Sequence, residues 1–378
     1  MPTPVHDGSI SARAWAWWLL GALAAATAAI VAFNAAVDPT AQLGSGIVGE
    51  PVAAGPRDRV AKVALLEESS PRLVVLGSSR TKKLDPAWLG DDGMNAAVVG
   101  GDAFEARVLA AWLAERSRAA DEPFPQLVVG VDVEQLRDSS LQGSGFLDVP
   151  ELAPVARREA AGADGSIAGE LDRLERLLLT WQVTKASAAS LRARLRSGAS
   201  DVGEAEEVAA IDEFTTTGVP TDDARWADPD AAERRARATP AAIERNLREL
   251  RGTYEANGAR LDPDAVADLR ALVRIARDAG GPTPLLYLTP AHPRTVEELG
   301  NDGRDERRDA IWVLLRGFER NDLATVVDCT TCIDDSDTSW IDATHPSPLG
   351  MRQLAARLAI ELDQAPSATP TERSGASR

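Results

Sequence analysis

Short apolar runs and helical stripes alternate along the chain. Leu73 to Leu76 reads LVVL and stops at Gly77. Such a run, bounded by turn residues, fits a strand buried on both faces. Met94 to Val99 (MNAAVV) is a second, weaker run, and Leu127 to Val131 (LVVGV) a third. Pro284 to Leu288 (PLLYL) and Ala324 to Val327 (ATVV) are the fourth and fifth. Between them the apolar period changes to that of a helix. Arg57 to Glu68 predicts a short one. Phe104, Val108, Leu109, Trp112 and Leu113 mark another, with Asp102 and Glu105 as a capping-box pair before it. Asp262 and Pro263 open a helix with Val266, Leu269, Val273 and Ala276 on one stripe, and Gly280 ends it. Arg304 to Arg320 predicts a helix. The last runs from Pro348, behind Ser347, with Met351, Leu354, Leu358 and Leu362 on one face. Strands alternating with helices predict a parallel sheet of about five strands with helices on both faces.

Two stretches break that rhythm. Trp15 to Phe33 (WAWWLLGALAAATAAIVAF) carries no charge and is about as long as a bilayer-spanning helix requires. Trp15, Trp17 and Trp18 stand where an aromatic belt belongs, with Arg13 before the span and Asp38 after it. The rival readings are a buried core helix and a cleaved signal peptide, but the apolar core of a signal peptide is usually about 7–15 residues. An uncleaved anchor at 15–37 is therefore expected, with residues 1–14 cytoplasmic and the remainder outside. Residues 38–56 read as a linker. From about 138 to 259 the strands stop. Ile167, Leu171, Leu174, Leu178 and Trp181 fall on one helical face, and 200–233 is acidic. This reads as a helical insertion with a mobile part, set into an α/β domain spanning 57–362. Residues 363–378 form a polar tail too poor in apolar residues to fold.

Composition narrows the chemistry. Among 378 residues, 41 Lys and Arg face 58 Asp and Glu, a net charge of -17. That repels a phosphate backbone and argues against nucleic acid. Only His6, His292 and His345 are available, so a multi-histidine metal site is nearly excluded and no cofactor is expected. Cys329 and Cys332 (CTTC) have no second pair with which to build a zinc ribbon. Their spacing in an exported domain predicts a local disulfide.

Ligands on parallel sheets sit at the C-terminal ends of the strands. The residues there are Gly77-Ser78-Ser79-Arg80, Gly100-Gly101-Asp102, Asp132-Val133-Glu134, Thr289-Pro290-Ala291-His292 and, late in the chain, Asp342-Ala343-Thr344-His345. A serine with a late Asp-x-x-His is the inventory of a serine hydrolase or acyltransferase. The hydroxyl needs a base, and the imidazole needs a carboxylate to fix its tautomer. Ser78 and Ser79 are both candidates at this point. Asp102 reads as a helix cap. Arg80 reads as an ion-pair or substrate-contact residue, and His292 as a pocket-lining or loop residue.

The blocks LVVLGSSR, NAAVVGGD, VVGVD and DATH, in that order, resemble the SGNH/GDSL hydrolase superfamily. The span followed by Asp38-Pro39, together with LYLTPAHP and VVDCT, looks like its membrane-anchored Gly-Ser-Ser-Arg branch, related to alginate O-acetylation and D-alanyl transfer proteins. The resemblance implies Ser79 as nucleophile, His345 as base and Asp342 as its partner. It implies an oxyanion hole from the Ser79 N–H and one second-block N–H, with Ala97 and Gly100 as the candidates. Ala97 stands where that superfamily usually has Gly. Asp132 stands where it usually has Asn, and an ionised Asp cannot donate to an oxyanion. Either Asp132 has another role or the hole is differently built.

The expected architecture is thus α/β: a flavodoxin-like three-layer α/β/α sandwich with a helical insertion and one N-terminal transmembrane helix. The expected function is a membrane-anchored serine esterase or O-acyltransferase of the cell envelope. Its partners would be an envelope polysaccharide or small acyl ester, the membrane, and a multi-pass membrane acyl carrier. The alternative is an inactive protein of the same fold that binds a glycan or a membrane partner.

Overall fold

The structure is a computed structural model that describes residues 12–37, 57–90, 92–134, 136, 149, 151–162, 214–220, 229–257 and 260–364, with isolated positions 179, 184, 187, 188, 191 and 192. The chain divides into two compact units, Met1–Ala54 with Ala160–Asp201, and Gly55–Glu159 with Val202–Arg378.

In the first unit, helix α1 (Ala12–Val37) presents its apolar side chains outward, among them Trp15, Trp17, Trp18, Leu19 and Leu23. Its span Arg13–Val37 is long and apolar enough to cross a membrane. Near its end Asn34 is buried. Its Nδ2 donates to Thr184 Oγ1 at 3.1 Å, and Ser187 Oγ donates to its Oδ1 at 2.9 Å.

The second unit holds a five-stranded parallel sheet. Its elements are α2 (Arg57–Glu68), β1 (Leu73–Leu76), β2 (Gly93–Asn95), α3 (Ala103–Ala120), β3 (Gln126–Val131), α4 (Ala153–Gly162), α5 (Pro229–Asn257), α6 (Pro263–Asp278), β4 (Leu285–Leu288), α7 (Pro293–Leu299), α8 (Arg304–Glu319), β5 (Thr325–Asp328) and α9 (Pro348–Gln364). The strand order is β2-β1-β3-β4-β5, so the order reverses between β1 and β3. In register, Val75 pairs with Val128, Val128 with Leu285 and Leu285 with Thr325. All of β1 and β4, and β3 beyond Gln126, are buried, which is why these strands are apolar on both faces. One face of the sheet (Leu73, Val75, Val128, Leu285, Tyr287, Val327) packs with Met351, Leu354 and Leu358 of α9 and with Trp340.

Local signals explain most boundaries. Asp102 caps α3, its Oδ1 accepting from Glu105 N–H at 2.9 Å. The reciprocal arm of the capping box is absent, because the Glu105 carboxylate is engaged by Arg59 at 2.7 and 2.8 Å. Asp262 caps α6 with Pro263 at its first position, and Gly280 follows its end at φ 72°. Ser347 Oγ accepts from Gly350 N–H at 3.3 Å at the start of α9.

The second run, expected as a strand over 94–99, pairs only over 93–95. Beyond it Ala96 and Val98 N–H still donate to Val75 and Gly77 O of the β1 side at 2.8 and 3.1 Å, while Ala97 N–H turns back onto Asn95 Oδ1 at 2.9 Å. Where the insertion is described it is helical, in α4 and α5, with one turn closed by a Phe214–Pro220 bridge. The linker 38–56, the apolar face 167–181 apart from Leu179, and 365–378 lie outside the described residues. Asp363 and Gln364, expected in the tail, belong to α9.

Candidate active site

The chain leaves β1 through Gly77, at φ 147°, where a Cβ would meet Thr81 Oγ1 at 2.8 Å. Glycine is what allows the tight turn that follows. Thr81 and Lys82 N–H close it on Ser78 O at 3.0 and 3.1 Å. Thr81 Oγ1 shares a hydrogen bond with Tyr287 Oη on β4 at 3.0 Å.

The two serines of this turn part company. Ser78 is buried and donates to Asp132 Oδ2 at 2.5 Å, while its oxygen accepts from Arg80 N–H at 3.1 Å. Ser79 is half-buried, and its Oγ lies 2.8 Å from His345 Nε2.

His345 is held by the loop before α9. Its Nδ1 faces Asp342 Oδ2 at 2.8 Å and Oδ1 at 3.0 Å. Asp342 Oδ1 also accepts the N–H groups of Thr344 and His345 at 2.8 and 2.9 Å. Burial works to raise the Asp342 carboxyl. The hydrogen bond and charge of His345 and these two N–H groups outweigh it and bring the pKa down to about 2. An ionised Asp342 requires the proton on His345 Nδ1, which leaves Nε2 free to accept from the Ser79 hydroxyl.

The loop is itself clamped. Ala343 O accepts from His292 N–H at 3.0 Å and from Thr295 Oγ1 at 2.8 Å. Trp340 Nε1 donates to Asp334 O at 2.7 Å, and its ring meets that of His292 edge-on at 5.4 Å. A disulfide joins Cys329 and Cys332 after β5.

Asp132 is bound within the fold. Besides Ser78, its Oδ1 accepts from Thr289 Oγ1 at 2.7 Å, and Arg80 Nε lies 3.8 Å from Oδ2. Burial pushes its carboxyl up, against the pull of Arg80, Ser78 and Thr289. It ties together the ends of β1, β3 and β4. Arg80 is a buried ion-pair residue, with Nη1 2.6 Å from Glu134 Oε2. Burial opposes ionisation of Glu134, but Arg80, then Arg304 and the Tyr254 hydroxyl, bring it down to about 2.

Ala97 is likewise committed elsewhere, since its N–H is spent on Asn95. The N–H groups of Ser79 and Gly100 make no hydrogen bond among the described residues. Gly100 belongs to the loop after β2, which is joined to the Ser79 turn by Val98 N–H donating to Gly77 O at 3.1 Å. His292 is buried and caps α7, its Nδ1 accepting from Arg294 N–H at 3.2 Å. It supports the Asp342–His345 loop.

Sequence reasoning missed Asn95, Thr289 and Thr295 as supports of the site. Thr289 and Asn95 do stand in the strand-end blocks, and that position was the available signal. Among the described residues no group of three or more His, Cys, Asp or Glu side chains is arranged to hold a metal ion. Comparison of the chain with protein-family models, with curated proteins and with solved structures finds no match.

Proposed function

We propose that this protein is a membrane-anchored SGNH-type serine esterase or O-acyltransferase acting on a cell-envelope glycan through an acyl-serine intermediate. One observation carries the reading: Ser79 Oγ, His345 and Asp342 form a continuous hydrogen-bonded chain at 2.8 and 2.8 Å. In the first step the Ser79 oxygen attacks the ester carbonyl while its proton passes to His345 Nε2. The oxyanion is met by the unpartnered N–H groups of Ser79 and Gly100. Collapse expels the alcohol, which takes the proton back from His345. Water or a glycan hydroxyl, deprotonated by His345, then releases the acyl group from Ser79.

Asp132, where the superfamily usually has Asn, and Ser78, where it usually has Asp, favour the inactive protein. The bonds of Asp132 to Ser78 and Thr289 weaken the first of these, because its charge is answered within the fold. The strand order, with its reversal between β1 and β3, supports the flavodoxin-like three-layer sandwich. Helix α1 supports a single-pass anchor, and the disulfide supports a domain on the extracytoplasmic side, where such bonds persist. A multi-pass membrane acyl carrier would supply the acyl group.

A fluorophosphonate probe applied to membranes containing the full chain tests the reading. Labelling is expected, and Ser79→Ala should abolish it. Folded wild-type protein that resists the probe would overturn the enzyme and leave the binding protein.

A further inference from the structure

One segment of the insertion returns to the sheet at the residue that holds the nucleophile's turn. Asn95, at the end of β2, is fully buried. Its Nδ2 donates to the carbonyls of Thr81 at 2.9 Å, Lys82 at 3.2 Å and Leu84 at 2.7 Å. Its Oδ1 accepts from Ala97 N–H at 2.9 Å. Those three carbonyls belong to the stretch that follows Ser79 and Arg80. A buried amide so occupied has one orientation, and it fixes whatever it binds.

The main chain of Asn95 faces the insertion. Its N–H donates to Thr217 O at 2.9 Å, and its carbonyl accepts from Lys62 Nζ at 2.5 Å. Lys62 also donates to Gly218 O. The segment 214–220 is a tight turn, closed by Thr215 N–H to Val219 O and Gly218 N–H to Thr215 O, both at 2.8 Å. Gly218 sits at φ 74°, and a Cβ there would lie 2.4 Å from Asn95 O. At its start the buried Phe214 ring lies 4.7 Å from Lys62 Nζ and 5.0 Å from Lys82 Nζ. Lys82, three residues after Ser79, pairs with Asp58 at 2.7 Å as well.

Covering the edge strand β2 would need only the backbone pairing. The contact from Phe214 to Lys82 and the fork from Asn95 reach past the edge to the turn that carries Ser79. We propose that segment 214–220 is a positioning element for Ser79: docked on Asn95 and clasped through Phe214 by Lys62 and Lys82, it holds the turn from which Ser79 reaches His345. The inference rests on the serine-nucleophile reading above. Its physical basis is that a nucleophile displaced by about an ångström loses up to about a hundredfold in rate.

The test uses the full chain, the fluorophosphonate probe and the variants Phe214→Ala, Phe214→Tyr and Gly218→Ala. Labelling is followed against probe concentration, so that maximal rate and half-saturating concentration separate. Phe214→Ala and Gly218→Ala should lower the maximal rate by about ten- to a hundredfold and leave half-saturation unchanged. Phe214→Tyr, which keeps an aromatic face toward Lys62 and Lys82, should restore the rate. If Phe214→Ala proves unstable, Gly218→Ala carries the test alone, since it removes no apolar contact. Cooperatively folded variants that label at the wild-type rate would overturn the inference while Ser79→Ala still abolishes labelling. Wild-type protein that is not labelled would overturn the serine reading itself, and the inference with it.

Discussion

Ser79 and His345 stand 266 positions apart in the chain and 2.8 Å apart in the fold. The distance closes because both residues follow strands of one parallel sheet at their C-terminal ends. Ser79 follows β1, and His345 lies on the long loop between β5 and α9.

If these two act as one unit, their losses should not add. Ser79→Ala and His345→Ala should each remove nearly all ester cleavage, and the double variant should lose little more. Steady-state rates on a small acetyl ester measure this. Two losses that multiply would show independent roles and break the catalytic chain.

Asp342→Asn tests the tautomer argument. The amide would offer N–H toward His345 Nδ1, drive the ring proton to Nε2 and take the acceptor away from Ser79. A fall of about 10³- to 10⁴-fold in kcat is expected, with the fold intact. A variant within tenfold of wild type would mean that Asp342 only shapes the loop.

Much of this was legible before any coordinates. LVVL, LVVGV, PLLYL and ATVV announce four of the five strands, because a strand buried on both faces has no polar positions to hide. The serine turn and the Asp-x-x-His segment were legible because strand ends are where a parallel sheet can present chemistry. What the sequence leaves unread are side-chain hydrogen bonds, local as well as distant. Ala97 looked available as a donor until Asn95 turned its side chain onto it. Asp132 looked like an obstacle because its partners, Ser78 and Thr289, come from 54 positions before it and 157 after. His292, a pocket or loop residue by its strand-end position, caps α7 and meets Trp340 edge-on. No periodicity encodes such pairings.

Asp102 gives the fold a pH dependence. Burial, and then the Glu105 charge, push its carboxyl up to about 7 against an unfolded value near 3.8. Between those values the folded state holds a proton that the unfolded chain has released, so stability falls as pH rises through this window. Asn caps a helix as well as Asp and carries no charge. Asp102→Asn should therefore be more stable than wild type at pH 8, with the advantage shrinking as pH falls and vanishing only near pH 4. Thermal unfolding at both values checks it, and an unchanged pH dependence in the variant would contradict it.

The disulfide between Cys329 and Cys332 closes a very short loop. Its stabilisation by chain entropy is correspondingly small, about 2 kcal/mol. Cys329→Ser with Cys332→Ser should lower the melting temperature by a few degrees without abolishing folding. Probe labelling should persist, because Asp342 and His345 are held separately through Ala343. Two free thiols in protein taken from the envelope would refute the bond outright.

The anchor prediction turns on length. Arg13–Val37 has 25 residues, which at about 1.5 Å each spans roughly 37 Å, against a hydrocarbon core of about 30 Å. A signal sequence needs less than that, and cleavage would remove the three tryptophans suited to one membrane face. The mature protein should therefore retain residues 12–37, resist extraction by alkaline carbonate, and become extractable when those residues are deleted. Arg13 before the span predicts that the sheet-bearing unit faces outward, so protease added to intact spheroplasts should digest it. A mature protein whose mass lacks residues 12–37 would replace the anchor with a cleaved leader. A sheet unit protected until the cells are opened would reverse the orientation.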